Sequence, residues 1–217
     1  MQEIRKFSEY VSLGNNCEVA FQIRRVLGRD SSSFFSWNVT PLGSLESLLR
    51  SKFSGILSRE NLSIHGSGAL INDSSHHYKF HSPFADAFMG DSNFEVQYEE
   101  LKKKFDYLTL KFLRKRTEIE NVAYFYKCDE HSTKIDFQIA VVKIRDLIAE
   151  IQGNNSFKLV FIQDEAFREE DWGLDNIANR YLKRLAPWAD ATDGHVQSWD
   201  RIFREFPSES EMHLSGY

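Results

Sequence analysis

The stretch Tyr10-Val11-Ser12-Leu13-Gly14-Asn15-Asn16-Cys17-Glu18-Val19-Ala20-Phe21-Gln22-Ile23 decides how this chain is read. Tyr10 to Leu13 has the composition of a short buried strand. Gly14, Asn15 and Asn16 then supply turn and capping chemistry, and Val19, Ala20, Ile23, Val26 and Leu27 recur at the spacing of one helix face. A strand that turns directly into a helix opens a βα unit, and the spacing puts Cys17 in the first helical turn.

Downstream of that unit, Ser31-Ser32-Ser33 reads as loop and Phe34-Phe35-Ser36-Trp37 as a short extended piece. Leu42, Leu45, Leu48 and Leu49 mark a second helix. Residues 54–92 carry Gly55, Gly66, Gly68, Asn72, Asp73 and Pro83 around short β-like pieces, so this span is expected to be an irregular insertion with room for a β-hairpin. Phe94, Tyr98, Leu101, Phe105, Leu108 and Phe112 then repeat every three or four residues through a long amphipathic helix. Val122 to Tyr126 reads as a strand, Ile135, Ile139, Val142 and Ile151 as a helix, and Leu159 to Ile162 as another strand. Leu174, Ile177, Tyr181, Leu182 and Leu185 suit a further helix and Trp199, Ile202, Phe203 and Phe206 a last one, with a frayed tail over 207–217. Strands alternating with helices predict one α/β domain over 1–217, with a mostly parallel sheet covered by helices on both faces, because parallel strands need crossovers.

The composition narrows the function classes. Of 217 residues 41% are hydrophobic and 18 are Phe, a globular composition, and the net charge of -5 lacks the basic footprint that binding to a phosphate backbone requires. Nucleic acid is therefore not an expected partner. No segment approaches the length of a membrane span and no apolar leader opens the chain, so a cytoplasmic location is expected. Two cysteines, Cys17 and Cys128, are too few for a disulfide framework and read as reduced thiols.

In parallel α/β sheets ligands gather outside the carboxyl ends of the strands. That rule collects Gly14 to Cys17, Cys128-Asp129-Glu130, Gln163-Asp164-Glu165 and Asp190 to His195 along one rim. Within it, Cys17 at a helix start faces unpaired N–H groups and the positive end of the dipole, which favours its thiolate. The same turn, Gly14-Asn15-Asn16, could cradle an anion, with Asp129, Asp164 and His195 on neighbouring strand ends; capping is the plainer role for the acids. The glycine spacing fits neither a dinucleotide fingerprint nor a nucleotide-hydrolase phosphate loop. His65, His76, His77 and His81 lie in the insertion with no zinc spacing, so neither a metal nor a cofactor is expected, and His76 or His77 is the better candidate for a base that meets a distant cysteine in space.

Val11-Ser12-Leu13-Gly14-Asn15-Asn16-Cys17, then Gln22-Ile23-Arg24-Arg25 and Phe34-Phe35-Ser36-Trp37, resembles the opening of a bacterial domain family of unknown function whose description is "putative papain-like cysteine peptidase". That family opens on a Ser-Leu-Gly-polar-Asn-Cys block, a helix with basic residues and a Phe-Asp-Trp signature, in which this chain has Ser36 at the acidic position. The resemblance implies that Cys17 is a nucleophile and that a histidine of the His76, His77 and His81 group is its base, with a third member unassigned. The parallel-sheet pattern, by contrast, does not resemble a papain fold.

Three functions follow. The preferred one is a thiol-dependent hydrolase or acyl-transfer enzyme, in which Cys17 attacks a carbonyl of a small-molecule, peptide or glycan substrate. The second is a glycosyl or phosphoribosyl transferase taking a phosphorylated sugar donor at Gly14 to Asn16, in bacterial surface-glycan biosynthesis. The third is a non-catalytic ligand-binding domain.

Overall fold

The computed structural model describes residues 5–66, 68–84, 93–117, 119–130, 132–185 and 194–215. Its elements run β1 (Glu9–Ser12), α1 (Glu18–Leu27), β2 (Asn38–Val39), α2 (Leu42–Arg50), β3 (Leu62–His65), β4 (Leu70–Asp73), β5 (Tyr78–His81), α3 (Phe94–Leu113), β6 (Val122–Lys127), α4 (Lys134–Gln152), β7 (Phe157–Asp164), β8 (Ile177–Leu182) and α5 (Val196–Glu205). None of the described helices is long and apolar enough to cross a membrane.

The strands form two sheets. One is parallel, in the order β1-β6-β7-β8, and the other is antiparallel, in the order β2-β5-β4-β3. The α/β class therefore stands, while the expectation of a mostly parallel sheet is corrected to two sheets of equal strand number. The span expected to be an irregular insertion contains β3, β4 and β5, a meander that β2 completes from upstream. Its strands are four residues long and separated by turns, which is why its sequence looks irregular.

A second correction concerns residues 174–185, expected as helix. Ile177–Leu182 is the parallel strand β8, buried at five of six positions, so the period-two signature of a half-exposed strand is missing. Phe34 to Trp37 are turn residues rather than an extended piece, and the extended pair is Asn38–Val39. The described part of the tail, 207–215, is held rather than frayed. Phe7 bridges Ser208, Glu209 N donates to Phe7 O at 2.9 Å, His213 N to Val26 O at 2.7 Å, and Ser215 N to the buried carboxylate of Asp200 at 2.7 Å.

The parallel sheet is apolar on both faces because it is covered on both. Ala123 and Phe125 of β6, with Val160 and Ile162 of β7, pack against Val19, Ile23 and Val26 of α1 and Trp199, Ile202 and Phe203 of α5. Val122, Tyr124 and Tyr126 point the other way, into a larger core filled from α2, α3, α4 and the antiparallel sheet. In α4 the buried face is Phe137, Val141, Ile144, Ile148 and Ile151, and Ile135 and Ile139 are exposed.

Phe203 is fully buried and meets Tyr10, Phe125 and Trp199 at ring centroid distances of 5.5, 5.3 and 5.7 Å. Phe203→Ala is expected to cost about 3–5 kcal/mol of stability in urea unfolding through lost burial and cavity formation, and a loss below about 1 kcal/mol would contradict this packing.

Candidate functional site

The parallel strands end at one edge, and there β1 hands the chain to α1 through Leu13, Gly14, Asn15 and Asn16. Leu13 N donates to Phe125 O at 2.9 Å and Asn15 N to Lys127 O at 3.3 Å, so the turn stays stitched to β6 after β1 ends. Thr40, just past β2, closes the other side, its N–H donating to Asn15 O at 2.9 Å. Gly14 has φ +102°, and a Cβ there would lie 3.2 Å from Thr40 Cβ, so glycine is required both by backbone conformation and by space. Cys17 follows as the N-cap of α1, one residue before the helix proper, and the first helical bond runs from Phe21 N to Cys17 O.

The Cys17 sulfur is 3.5 Å from Nε2 of His81, the last residue of β5. Strand alternation explains that reach: Tyr78 and Phe80 point into the core, and Lys79 and His81 point away from it. Among the described residues, Cys17 is the only hydrogen-bond partner of the His81 ring.

The histidines preferred from sequence sit elsewhere. The His76 ring is tied to Ser47 Oγ and to the carbonyl of Ser54, each at 2.8 Å, a role in holding the turn before β5. His77 is an exposed turn residue at φ +55° whose carbonyl accepts from Ser44 Oγ. The structure thus brings His81, and not His76 or His77, to the thiol. His195 is the N-cap of α5, with Nδ1 2.8 Å from Ser198 Oγ. Asp164 accepts from Ala166 N at 2.8 Å and caps a short 3-10 turn. Asp190 lies outside the described residues. Of the rim acids among the described residues, Asp129 alone reaches the turn beside Cys17, its Oδ2 accepting from Asn16 Nδ2 at 3.0 Å, while Asn16 Oδ1 accepts from Glu18 N at 2.9 Å. Among the described residues no cluster of three metal-ligating side chains occurs.

Paired with Glu18, the residue after Cys17, is a group that the sequence pattern did not single out. The Lys127 ammonium, buried at the end of β6, is 2.6 Å from Glu18 Oε2 and 3.0 Å from Asp129 Oδ1. Arg184, past β8, adds a cation 3.6 Å from Asp129, and Trp199 Nε1 donates to the other oxygen of Glu18 at 2.7 Å. Burial works against the Lys127 charge, but the Glu18 and Asp129 carboxylates outweigh it and hold the ammonium above the ordinary lysine range. The available signal was a lysine closing the otherwise apolar strand Val122-Ala123-Tyr124-Phe125-Tyr126.

Burial also sets the thiols. It raises Cys17 above the ordinary cysteine value, opposite to the shift expected from the helix start alone, and pushes Cys128 up to about 12. Three amides of the turn are engaged internally: Gly14 N with Ser12 Oγ at 3.4 Å, Asn15 N with Lys127 O, and Glu18 N with Asn16.

Residues 8–169 match the sequence model of a family described as "putative papain-like cysteine peptidase". No curated protein and no solved structure matches the chain.

Two predictions follow from the buried charges and thiols. Lys127→Met removes the ammonium that Glu18 and Asp129 share, leaving Asp129 only Arg184 at 3.6 Å, and is expected to cost about 3–5 kcal/mol in chemical denaturation. That deficit should shrink on acidification, since protonating the two carboxylates removes the uncompensated charge; a deficit independent of pH would contradict the ion pairing. Iodoacetamide should alkylate Cys17 several-fold faster than Cys128 at pH 8, read by peptide mass spectrometry, because Cys128 retains its proton to higher pH. Equal rates would remove the distinction.

Proposed function

Because the chain belongs to the family described as "putative papain-like cysteine peptidase" and its Cys17 sulfur lies 3.5 Å from an imidazole, we propose that it is a thiol-dependent hydrolase or acyl-transfer enzyme with Cys17 as nucleophile and His81 as general base. The thiol–imidazole contact is the single observation that carries this reading. A buried thiol with a raised pKa keeps its proton at neutral pH, so reactivity depends on a base at the sulfur rather than on the helix dipole. His81 Nε2 takes that proton as the sulfur attacks a carbonyl carbon. The oxyanion then forms at the start of α1, where the Cys17 N–H precedes the helical ladder. His81 returns the proton to the leaving group, and water or a second nucleophile resolves the thioester. Asn16, Glu18, Lys127 and Asp129 position the turn without touching the reacting atoms.

The sugar-donor transferase reading has weaker support. A phosphate cradle needs free amides, whereas those of Gly14, Asn15 and Glu18 have acceptors within the protein. The carboxylate of Asp129 beside Asn16 is also a poor neighbour for a phosphate. A ligand-binding domain without chemistry would have no use for the sulfur, and the test below separates it from an enzyme.

Incubation with activated esters and intact-mass detection of the acyl-enzyme should show one acyl adduct at Cys17. Cys17→Ala should abolish the adduct, and His81→Ala should slow its formation by about 10²–10⁴-fold, the usual range for loss of a general base. His76→Ala should leave the rate within a few-fold of the parent. A His81→Ala protein that acylates at the parental rate would exclude His81 as the base.

A further inference from the structure

Next to the thiol–imidazole pair is a cleft of about 360 Å³, within the range of small-molecule pockets, and His81 forms part of its wall. Its floor is apolar: Phe34, Phe80, Leu101, Phe105 and Leu108 are all buried core residues, with Phe105 packed edge-on against both Phe34 and Phe80 at 5.3 Å. Trp37 closes one side, fixed by a hydrogen bond from its Nε1 to Ser32 Oγ at 3.0 Å and by the Arg24 guanidinium 4.7 Å from its ring. Along the other side runs α3, whose Gln97, Glu100 and Lys104 form a polar rim one helical step from Leu101, Phe105 and Leu108. Cys17 itself does not line this apolar slot with its polar lip; His81, which does, is the residue that joins it to the sulfur 3.5 Å away.

We propose that this cleft is an acyl-binding subsite, so that the substrates are esters, thioesters or amides of an apolar acyl group. This inference rests on Cys17 as nucleophile and adds the chemical class of the transferred group. His81 accepts the Sγ proton, the S–C bond forms as the bond from the carbonyl carbon to the leaving oxygen, sulfur or nitrogen breaks, and the leaving group departs with that electron pair. Water then cleaves the S–C bond, giving the carboxylic acid and restoring the thiol. Each methylene taken from water into such a slot contributes about 0.8 kcal/mol, so the effect accumulates along a chain. The apolar group can be an aliphatic chain or the side chain of an apolar amino acid, and the two differ in which ester reacts faster.

The test compares second-order acylation constants of the full chain for the p-nitrophenyl esters of acetate, butyrate, octanoate and N-blocked phenylalanine. Each is divided by the rate of the same ester with free cysteine, and adducts are located by mass spectrometry. The normalised constant for octanoate or the phenylalanine ester should exceed that for acetate by at least about tenfold, as burial of several methylenes requires. A faster octanoate identifies an aliphatic acyl chain, and a faster phenylalanine ester identifies an amino-acyl group; either supports the subsite. Leu101→Trp, which fills the slot, should bring the preference to within about threefold, and Gln97→Trp at the half-buried rim should reduce it in a protein whose core is untouched. Equal normalised constants for acetate and octanoate, or a preference that survives both substitutions, would overturn the subsite while leaving Cys17 as nucleophile. Absence of any adduct at Cys17 would overturn the thiol mechanism and the subsite with it.

Discussion

The Lys127 ammonium, enclosed between the carboxylates of Glu18 and Asp129, is the constraint on which the rest of the site depends. Lys127 and Glu18 are buried and Asp129 is partly exposed, and buried ions are costly unless they neutralise one another at close range with their remaining lone pairs occupied. Here Trp199 and Asn16 supply further donors, and Arg184 adds a cation to Asp129. Satisfying those charges joins the end of β6, the start of α1, the turn after β1, the segment after β8 and helix α5. It also bears on Cys17 directly, because the residue before it, Asn16, is held by Asp129 and the residue after it, Glu18, is held by Lys127 and Trp199. The sulfur is carried on a backbone fixed from both sides by charge-assisted contacts.

The two sheets divide the chemistry between them. The parallel sheet delivers Cys17 from the carboxyl end of β1, and the antiparallel sheet delivers His81 from the end of β5. Their relative placement is set where Thr40 joins the two, taking Asn15 O through its N–H and accepting from Tyr126 Oη at 3.2 Å through its carbonyl. Pairing of Asn38 and Val39 with Phe80 and Lys79 then fixes how far along β5 the histidine falls. Because side chains alternate along a strand, a slip of one residue in this register would turn His81 away from the sulfur.

Burial and the helix start act on the Cys17 thiol in opposite directions, and burial wins. The dipole of a ten-residue helix is worth no more than about 2 kcal/mol to a charge at its end even in favourable geometry. Taking the sulfur out of water disfavours its charged form, and this is the effect that sets the direction of the shift. The consequence for chemistry is a thiol that remains protonated until a base draws the proton away, with the exposed His81 as the base at the sulfur.

What the sequence alone determined were the features that local periodicity encodes: the β1 strand and Gly14 turn that place Cys17 at a helix start, the long α3 with its stripe from Phe94 to Phe112, the strands β6 and β7, and α5. These are legible because a helix or strand facing one core leaves a 3.6- or two-residue pattern in its own residues. Where that pattern fails, only the tertiary structure decided. Strand β8 is buried on both faces, so Ile177, Tyr181 and Leu182 carry no alternation and their spacing mimics a helix. The meander β3 to β5 is made of pieces too short to show a period, and its pairing with β2 lies in contacts 40 residues apart, as between Val39 and Lys79. The histidine at the thiol was one of three close candidates, and strand pairing and alternation selected His81 over His76 and His77. The pairing of Glu18 with Lys127 was equally invisible, since opposite charges separated by more than 100 residues are recognised as partners only after the chain has brought them together and excluded water from between them.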